Sequence, residues 1–391
     1  MLKKVRNIFL AAMIPGMVWF GSNAAGQEPN PGSLQIMAGP YLQNVSITGI
    51  TIMWETNLAS DSEVVYGRNT PLVNNVKLDE KKNIHEVTLS NLEVETTYFY
   101  YIKSDAGVSG SVKSDRFTFQ TAVKPDTAYA FVVIGDNRSF PERFKKISDL
   151  AYGERPNFAV NVGDVVTDGR VKEQWITEFL NPAANLMARV PNYVAIGNHE
   201  KNAHWFYDYL SFPAPENYYS FDYGNAHFTI VDSNQIFTPL SRQYQWLEKD
   251  LAASRATWKF VAHHHPPYSS DKDDYGNTDK RGSILGDPNT RQLVSLYEKY
   301  GVDIVWVGHI HDYERTWPIR DGRVDQEHGV IYIQTGGGGA ELEDFAPTRS
   351  WFTAKVLRNF QYCYVAVSRG TLRMMAYDLD GRLYDYLELK K

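Results

Sequence analysis

One cysteine in 391 residues, Cys363, leaves this chain without an internal disulfide. Its fold must therefore rest on an apolar core rather than on covalent cross-links. Positive charge is scarce too, with 40 Lys and Arg against 46 Asp and Glu and a net charge of −6. A chain of that sign is not built to bind nucleic acid or an anionic membrane. No apolar run reaches the usual length of a membrane span, the longest being residues 8–20. No internal repeat or low-complexity tract stands out, which removes the solenoid and array classes. The glycine run Gly336 to Gly339 has no Lys-Ser/Thr after it, which excludes a phosphate loop of the ATPase kind and leaves tight packing as its reading.

What is present begins at the amino end. Lys3, Lys4 and Arg6 precede the apolar residues 8–20, and Ser22-Asn23-Ala24 follows with the small-x-small pattern of signal-peptidase substrates. The pattern predicts a signal peptide over residues 1–24 and a secreted or periplasmic protein. Cleavage would remove three basic residues and no acidic ones, moving the net charge from −6 to −9. No cysteine lies near the cut for lipid attachment, so no membrane association is expected after cleavage.

Residues 25–35 are rich in Gly, Pro, Asn and Ser and read as a linker. From 36 to 122 the pattern is short alternating segments. Ile50, Ile52 and Trp54 fall on one face, as do Tyr98, Tyr100 and Ile102, and again Phe117 and Phe119. Such spacing predicts an all-β sandwich. After a short linker at Val123-Lys124-Pro125-Asp126, Val- and Ile-rich strands alternate with helical patterns at 141–151, 171–180, 241–253 and 289–300. That alternation predicts an α/β domain over 127–389, arranged as a two-sheet sandwich whose second sheet is completed by a strand-rich tail from Gln361 to Leu389.

Five polar motifs each end one of the apolar runs: Gly135-Asp136-Asn137-Arg138, Gly163-Asp164, Gly197-Asn198-His199-Glu200, His263-His264-His265 and Gly308-His309-Ile310-His311. In an open α/β sheet, ligands bind beyond the carboxyl ends of the strands. The motifs should meet there, bringing together two carboxylates, an amide and at least three imidazoles, a donor set for two adjacent divalent metals. Six of the ten histidines fall within these motifs. For His85, His204, His227 and His328, packed or solvated side chains are the expectation.

The order Asp, Gly-Asp, Gly-Asn-His-Glu, His, Gly-His-x-His resembles the calcineurin-like metallophosphoesterases, and within them the purple acid phosphatase branch. Ala38-Gly39-Pro40-Tyr41-Leu42-Gln43-Asn44 and the segment after it resemble that branch's N-terminal β domain. Leu92-Glu93-Val94-Glu95-Thr96-Thr97-Tyr98 looks like the tyrosine corner of fibronectin type III-like domains. The resemblance implies a first metal held by Asp136, Asp164 and His311. It implies that Asp164 bridges to a second metal held by Asn198, His264 and His309; His264 is chosen from its run because it precedes the His265-Pro266 step. His199 is implied as an acid or hydrogen-bond donor at the leaving group or phosphoryl oxygen, and Glu200 as support for the ligands.

Three departures matter. Purple acid phosphatases place a tyrosine three residues after the Gly-Asp aspartate, where Thr167 stands here, so ferric iron and its colour are not expected. Zn, Mn or ferrous iron fits better. Other members of the family place a histidine ligand at the position of Arg138, whose guanidinium cannot ligate but suits phosphate recognition. The loop after His264 carries Asp271, Lys272, Asp273 and Asp274 instead of the family's further histidines. Thr167, His265 and Arg281 are additional candidates, Arg281 and Lys280 lying on a long polar stretch, 268–288, that suits a binding loop.

The expected activity is metal-assisted hydrolysis of phosphomonoesters. A phosphodiesterase on the same scaffold is the alternative within the family, and an extracellular recognition protein with a vestigial metal site is the alternative outside it.

Overall fold

The computed structural model describes residues 32–275 and 284–391. The expected signal peptide, most of the expected linker, Lys280 and Arg281 lie outside the described residues.

The first six strands run Ile36–Gln43, Ile50–Gly67, Asn74–Leu89, Thr97–Asp105, Ser111–Lys113 and Phe117–Gln120. The long second strand pairs antiparallel with the first, third and fourth, and its register with the third slips between Glu55 and Ser62. Such slips bend a strand and let one ribbon serve two faces. The expected alternation is present in the fourth strand, where Tyr98, Tyr100 and Ile102 are buried between partly exposed neighbours, whereas Ile50 to Thr56 of the second strand is buried on both faces. Trp54 stacks on His85 at 4.7 Å inside this region. The tyrosine corner is also present, with Glu93 N–H donating to the Tyr98 hydroxyl at 2.9 Å.

Two further large sheets follow, besides a two-stranded ribbon of Ile319–Arg320 and Arg323–Val324. The six-stranded one is ordered Leu383–Lys390, Thr371–Asp378, Gln361–Ser368, Tyr129–Ile134, Phe158–Asn161, Asn192–Val194. Its last three members are parallel and the carboxy-terminal strands join them antiparallel, so the tail extends the sheet that Tyr129–Ile134 begins. The seven-stranded sheet has a parallel centre of Ala226–Ile230, Trp258–Ala262, Ile304–Val307 and Ile331–Thr335. Aromatic rings fill the seam. Phe131 from the first sheet meets Phe228 at 5.2 Å and Phe260 at 5.5 Å, and Phe158 meets Phe228 at 5.2 Å. Burying each phenyl ring stabilises the seam by about 1.5 to 3 kcal/mol.

Helices form at Pro141–Gly153 and Arg242–Ala253, close to expectation. The pattern at 171–180 instead gives a short turn at Lys172–Gln174 and then a π-helical stretch, Trp175–Leu180. Widened turns of this kind accompany functional sites, and Glu178 on this one reaches a strand-end loop described below. Three buried tyrosines fasten the sandwich to the two-sheet region. Tyr41 donates to Tyr209 O at 2.9 Å, Tyr100 to Ala188 O at 2.7 Å, and Tyr193 to Val45 O at 3.0 Å.

Candidate metal centre

The chain turns abruptly at the carboxyl ends of the parallel strands. Asp136, Asp164 and His309 have left-handed backbone, with φ of 58°, 56° and 74°. For residues with a Cβ this geometry costs about 1 to 2 kcal/mol each, and it persists where the surroundings enforce it. His309 N–H donates to both Asp136 oxygens at 3.1 and 2.9 Å, and His199 N–H donates to Asp164 Oδ1 at 2.9 Å. Buried Glu200 collects three more amides: Gly197 N–H at 2.6 Å, Asp164 N–H at 3.0 Å and Val165 N–H at 2.8 Å. Two glycines are required by close approach. A Cβ at Gly197 would lie 2.2 Å from Asp164 Oδ1, and one at Gly308 would lie 2.4 Å from Asp136 Oδ2. The run at 336–339 is tightly packed, as expected, since a Cβ at Gly338 would lie 2.1 Å from Gly135 O.

These turns bring the five motifs to one cleft. Asp136, Asp164 and Asn198 come from the six-stranded sheet, and His264, His309 and His311 from the seven-stranded one. Ligand atoms of Asp136, Asp164 and His264 all lie within 4.8 Å of one another. Asn198 Oδ1 sits 3.0 Å from His264 Nε2 and 3.2 Å from His309 Nδ1. His264 and His311 each turn Nδ1 to a backbone carbonyl, Val162 O at 2.9 Å and Glu341 O at 2.7 Å. With the Nδ1 proton donated, Nε2 is the nitrogen turned to the cleft, the one a metal would take. His264 Nε2 is then 3.4 Å from Asp164 Oδ2, and His311 Nε2 is 3.6 Å from Asp136 Oδ1.

The electrostatics identify what the cluster is short of. Burial, reinforced by the Asp164 charge, outweighs the favourable His264 charge and raises the Asp136 carboxyl well above its usual range. Burial would raise Asp164 also, but His264 outweighs it and holds Asp164 below the carboxylate range. Burial pulls His264 down, yet the charges of Asp164 and Asp136 prevail and push it up to about 10. A proton on His264 thus serves as the cation that two buried carboxylates need. A divalent ion would take over that role and release the proton, so the donor set fits metal by chemistry as well as by position. Burial holds His309 and His311 neutral, lowered to about 3 and about 4, as ligands must be.

The remaining candidates divide. His199 turns Nδ1 to Thr167 O at 2.6 Å, leaving Nε2 facing the cleft 3.8 Å from Asp164 Oδ2. Arg138 Nε, buried and without a hydrogen-bond partner, lies 3.6 Å from Asp164 Oδ2. Thr167 is near, but its hydroxyl donates to Glu178 at 2.8 Å and pairs with Ser139 at 2.8 Å. His265 joins His264 and His309 in a second group of ligand atoms within 4.8 Å. His263 packs its ring on Tyr297 at 6.1 Å, away from the cleft. Sequence reasoning missed Glu343, which accepts His311 N–H at 2.8 Å, and gave no role to Asp274, which lies 3.6 Å from His309 Nε2. It also missed the carbonyl anchors of Val162, Thr167 and Glu341, which no residue type announces.

Known proteins resemble this chain along most of its length. The family model described as calcineurin-like phosphoesterase matches residues 119–313, and that of the purple acid phosphatase N-terminal domain matches residues 40–121. Mouse acid phosphatase type 7 is 27% identical over 395 residues, covering 86% of this chain and 86% of that protein. An Arabidopsis thaliana relative named probable inactive purple acid phosphatase 27 is 26% identical over 351 residues. That match covers 78% of this chain, which spans only 55% of the relative's length. Among solved structures, a purple acid phosphatase from yellow lupin seeds superposes with a TM-score of 0.80 at 21% identity, covering 93% of this chain and 75% of that one. The lupin protein establishes likeness of fold.

Proposed function

The chain belongs to the calcineurin-like phosphoesterases, in the branch with a purple acid phosphatase N-terminal domain, and from that premise we propose that it hydrolyses phosphomonoesters at a dinuclear metal centre. The carrying observation is the convergence of oxygen donors from one sheet and imidazoles from the other on buried carboxylates 4.8 Å or less from His264. We assign the first metal to Asp136, Asp164 and His311, and the second to Asn198, His264 and His309 with Asp164 bridging. We assign the sandwich to residues 36–122 and the hydrolytic domain to 127–389. Export to the periplasm or medium with cleavage near Ala24 is part of the proposal, supported by the pattern over residues 1–24; a protein retained in the cytoplasm would refute the export, and an exported protein that keeps those residues would refute the cleavage.

Bound divalent ions would supply an acidified water and neutralise phosphoryl oxygens. The chain's own groups do the rest. Arg138 offers a phosphate oxygen a buried Nε–H that makes no hydrogen bond, on a guanidinium fork suited to phosphate. His199, its Nδ1 proton committed to Thr167 O, can hold or deliver a proton from Nε2 toward the leaving oxygen. Zn, Mn or ferrous iron is proposed over ferric iron, because no phenolate stands at Thr167 and the threonine hydroxyl is engaged by Glu178. The protein should be colourless.

The test is metal analysis with hydrolysis of nitrophenyl mono- and diesters. Two ions per chain with faster monoester cleavage is expected; diester preference would select the phosphodiesterase alternative. An ion-free protein with no turnover would select a recognition protein. Arg138→Ala should raise KM for monoesters while leaving metal content unchanged, since loss of a charge-assisted contact costs about 1.5 to 3 kcal/mol. Normal substrate binding together with a lost ion would refute the role given to Arg138.

A further inference from the structure

We propose that His265 is a third imidazole ligand of the second metal, so that this position is served by a three-histidine face rather than two histidines alone. The inference rests on the dinuclear reading above.

Three observations carry it. First, ligand atoms of His264, His265 and His309 lie within 4.8 Å of one another, a spacing that one ion can span. Second, the His265 ring is inside the same cluster, 5.0 Å from the His264 ring and 4.5 Å from the His309 ring, centroid to centroid. Third, the ring is fixed on its far side. Its Nδ1 pairs with Ser233 Oγ at 2.8 Å, and the same oxygen accepts the His265 backbone N–H at 3.1 Å. A serine oxygen has two lone pairs, so it can accept the Nδ1 proton as well as the amide. That tautomer leaves Nε2 with a bare lone pair. The arrangement parallels His264, whose Nδ1 rests on Val162 O. Ser233 follows the strand Ala226–Ile230, so a separate strand end orients the extra ring.

An added nitrogen donor shifts the balance of the site. Three imidazoles favour Zn over Mn, which prefers oxygen donors. His265 should therefore govern which ion the second position retains.

The experiment titrates the metal-free full chain with Zn²⁺ and with Mn²⁺ by calorimetry, and with Co²⁺ by visible absorption, for wild type, His265→Ala, His265→Gln and the remote control His204→Ala. Wild type and His204→Ala should take up two ions. Both His265 variants should bind the second Zn²⁺ at least about tenfold more weakly, lose less Mn²⁺ affinity, and change the Co²⁺ spectrum. The glutamine variant keeps most of the side-chain volume, so it covers the case in which alanine fails to fold. Two ions held by wild type, with unchanged Zn²⁺ affinity and Co²⁺ spectrum in the folded variants, would overturn the assignment of His265 and leave the dinuclear reading intact. Failure of wild type to bind two ions would overturn both. Loss of turnover with unchanged metal binding would likewise reject His265 as a ligand.

Discussion

Asp164→Asn, Asn198→Ala and His309→Ala should each lower phosphoester hydrolysis by roughly a thousandfold or more, the rate equivalent of about 4 kcal/mol of lost charge stabilisation. Each removes a donor assigned to the second ion, and Asp164→Asn also weakens the bridge. The fold should survive, because the three side chains project from strand ends into a cleft instead of filling the aromatic seam between Phe131, Phe158 and Phe228. Asparagine at 164 retains the oxygen that accepts His199 N–H. Circular dichroism and metal analysis alongside turnover separate loss of chemistry from loss of structure. Turnover near wild type in all three metal-analysed variants would end the two-metal account.

The second large effect is expected at a residue that needs no contact with metal or substrate. Glu200→Ala leaves three buried N–H groups, those of Gly197, Asp164 and Val165, without their acceptor. Each unsatisfied buried donor costs about 1 to 3 kcal/mol, so the loops that aim Asp164 and Asn198 should relax into other geometries. Metal affinity should fall about 10- to 100-fold, and the denaturant midpoint should fall with it. Unchanged metal affinity and midpoint would show that these loops are held without Glu200.

The reasons for these two predictions were unequally visible in the sequence. Asp136, Asp164, Asn198 and His309 announce themselves because residue type, order and strand-end position coincide. The tyrosine corner at Tyr98 was legible for the same reason, as a local pattern with a fixed hydrogen bond. Glu200 was visible as a supporting residue, but its three amides come from two loops that only the tertiary fold places together. Glu343 was hidden more completely, lying 32 residues beyond the His311 amide it accepts. The π-helical stretch at Trp175–Leu180 was read as an ordinary helix because its apolar spacing fits both. The apolar runs continue to Val162 and Ile196, past the last ladder pair, Asn161 with Val194. There the side chains still pack while the backbone has already turned toward Gly163 and Gly197.

The division of donors between the sheets has a mechanical consequence. Asp136, Asp164 and Asn198 belong to one sheet, and His264, His309 and His311 to the other, so any ion held among them is a rivet through the seam. Sliding one sheet past the other would pull its ligands apart, and loading with metal should stiffen the joint by mass action. Metal affinity and resistance of the seam to shear are in that sense a single property, set jointly by the ligands at its rim and the phenyl rings along its length.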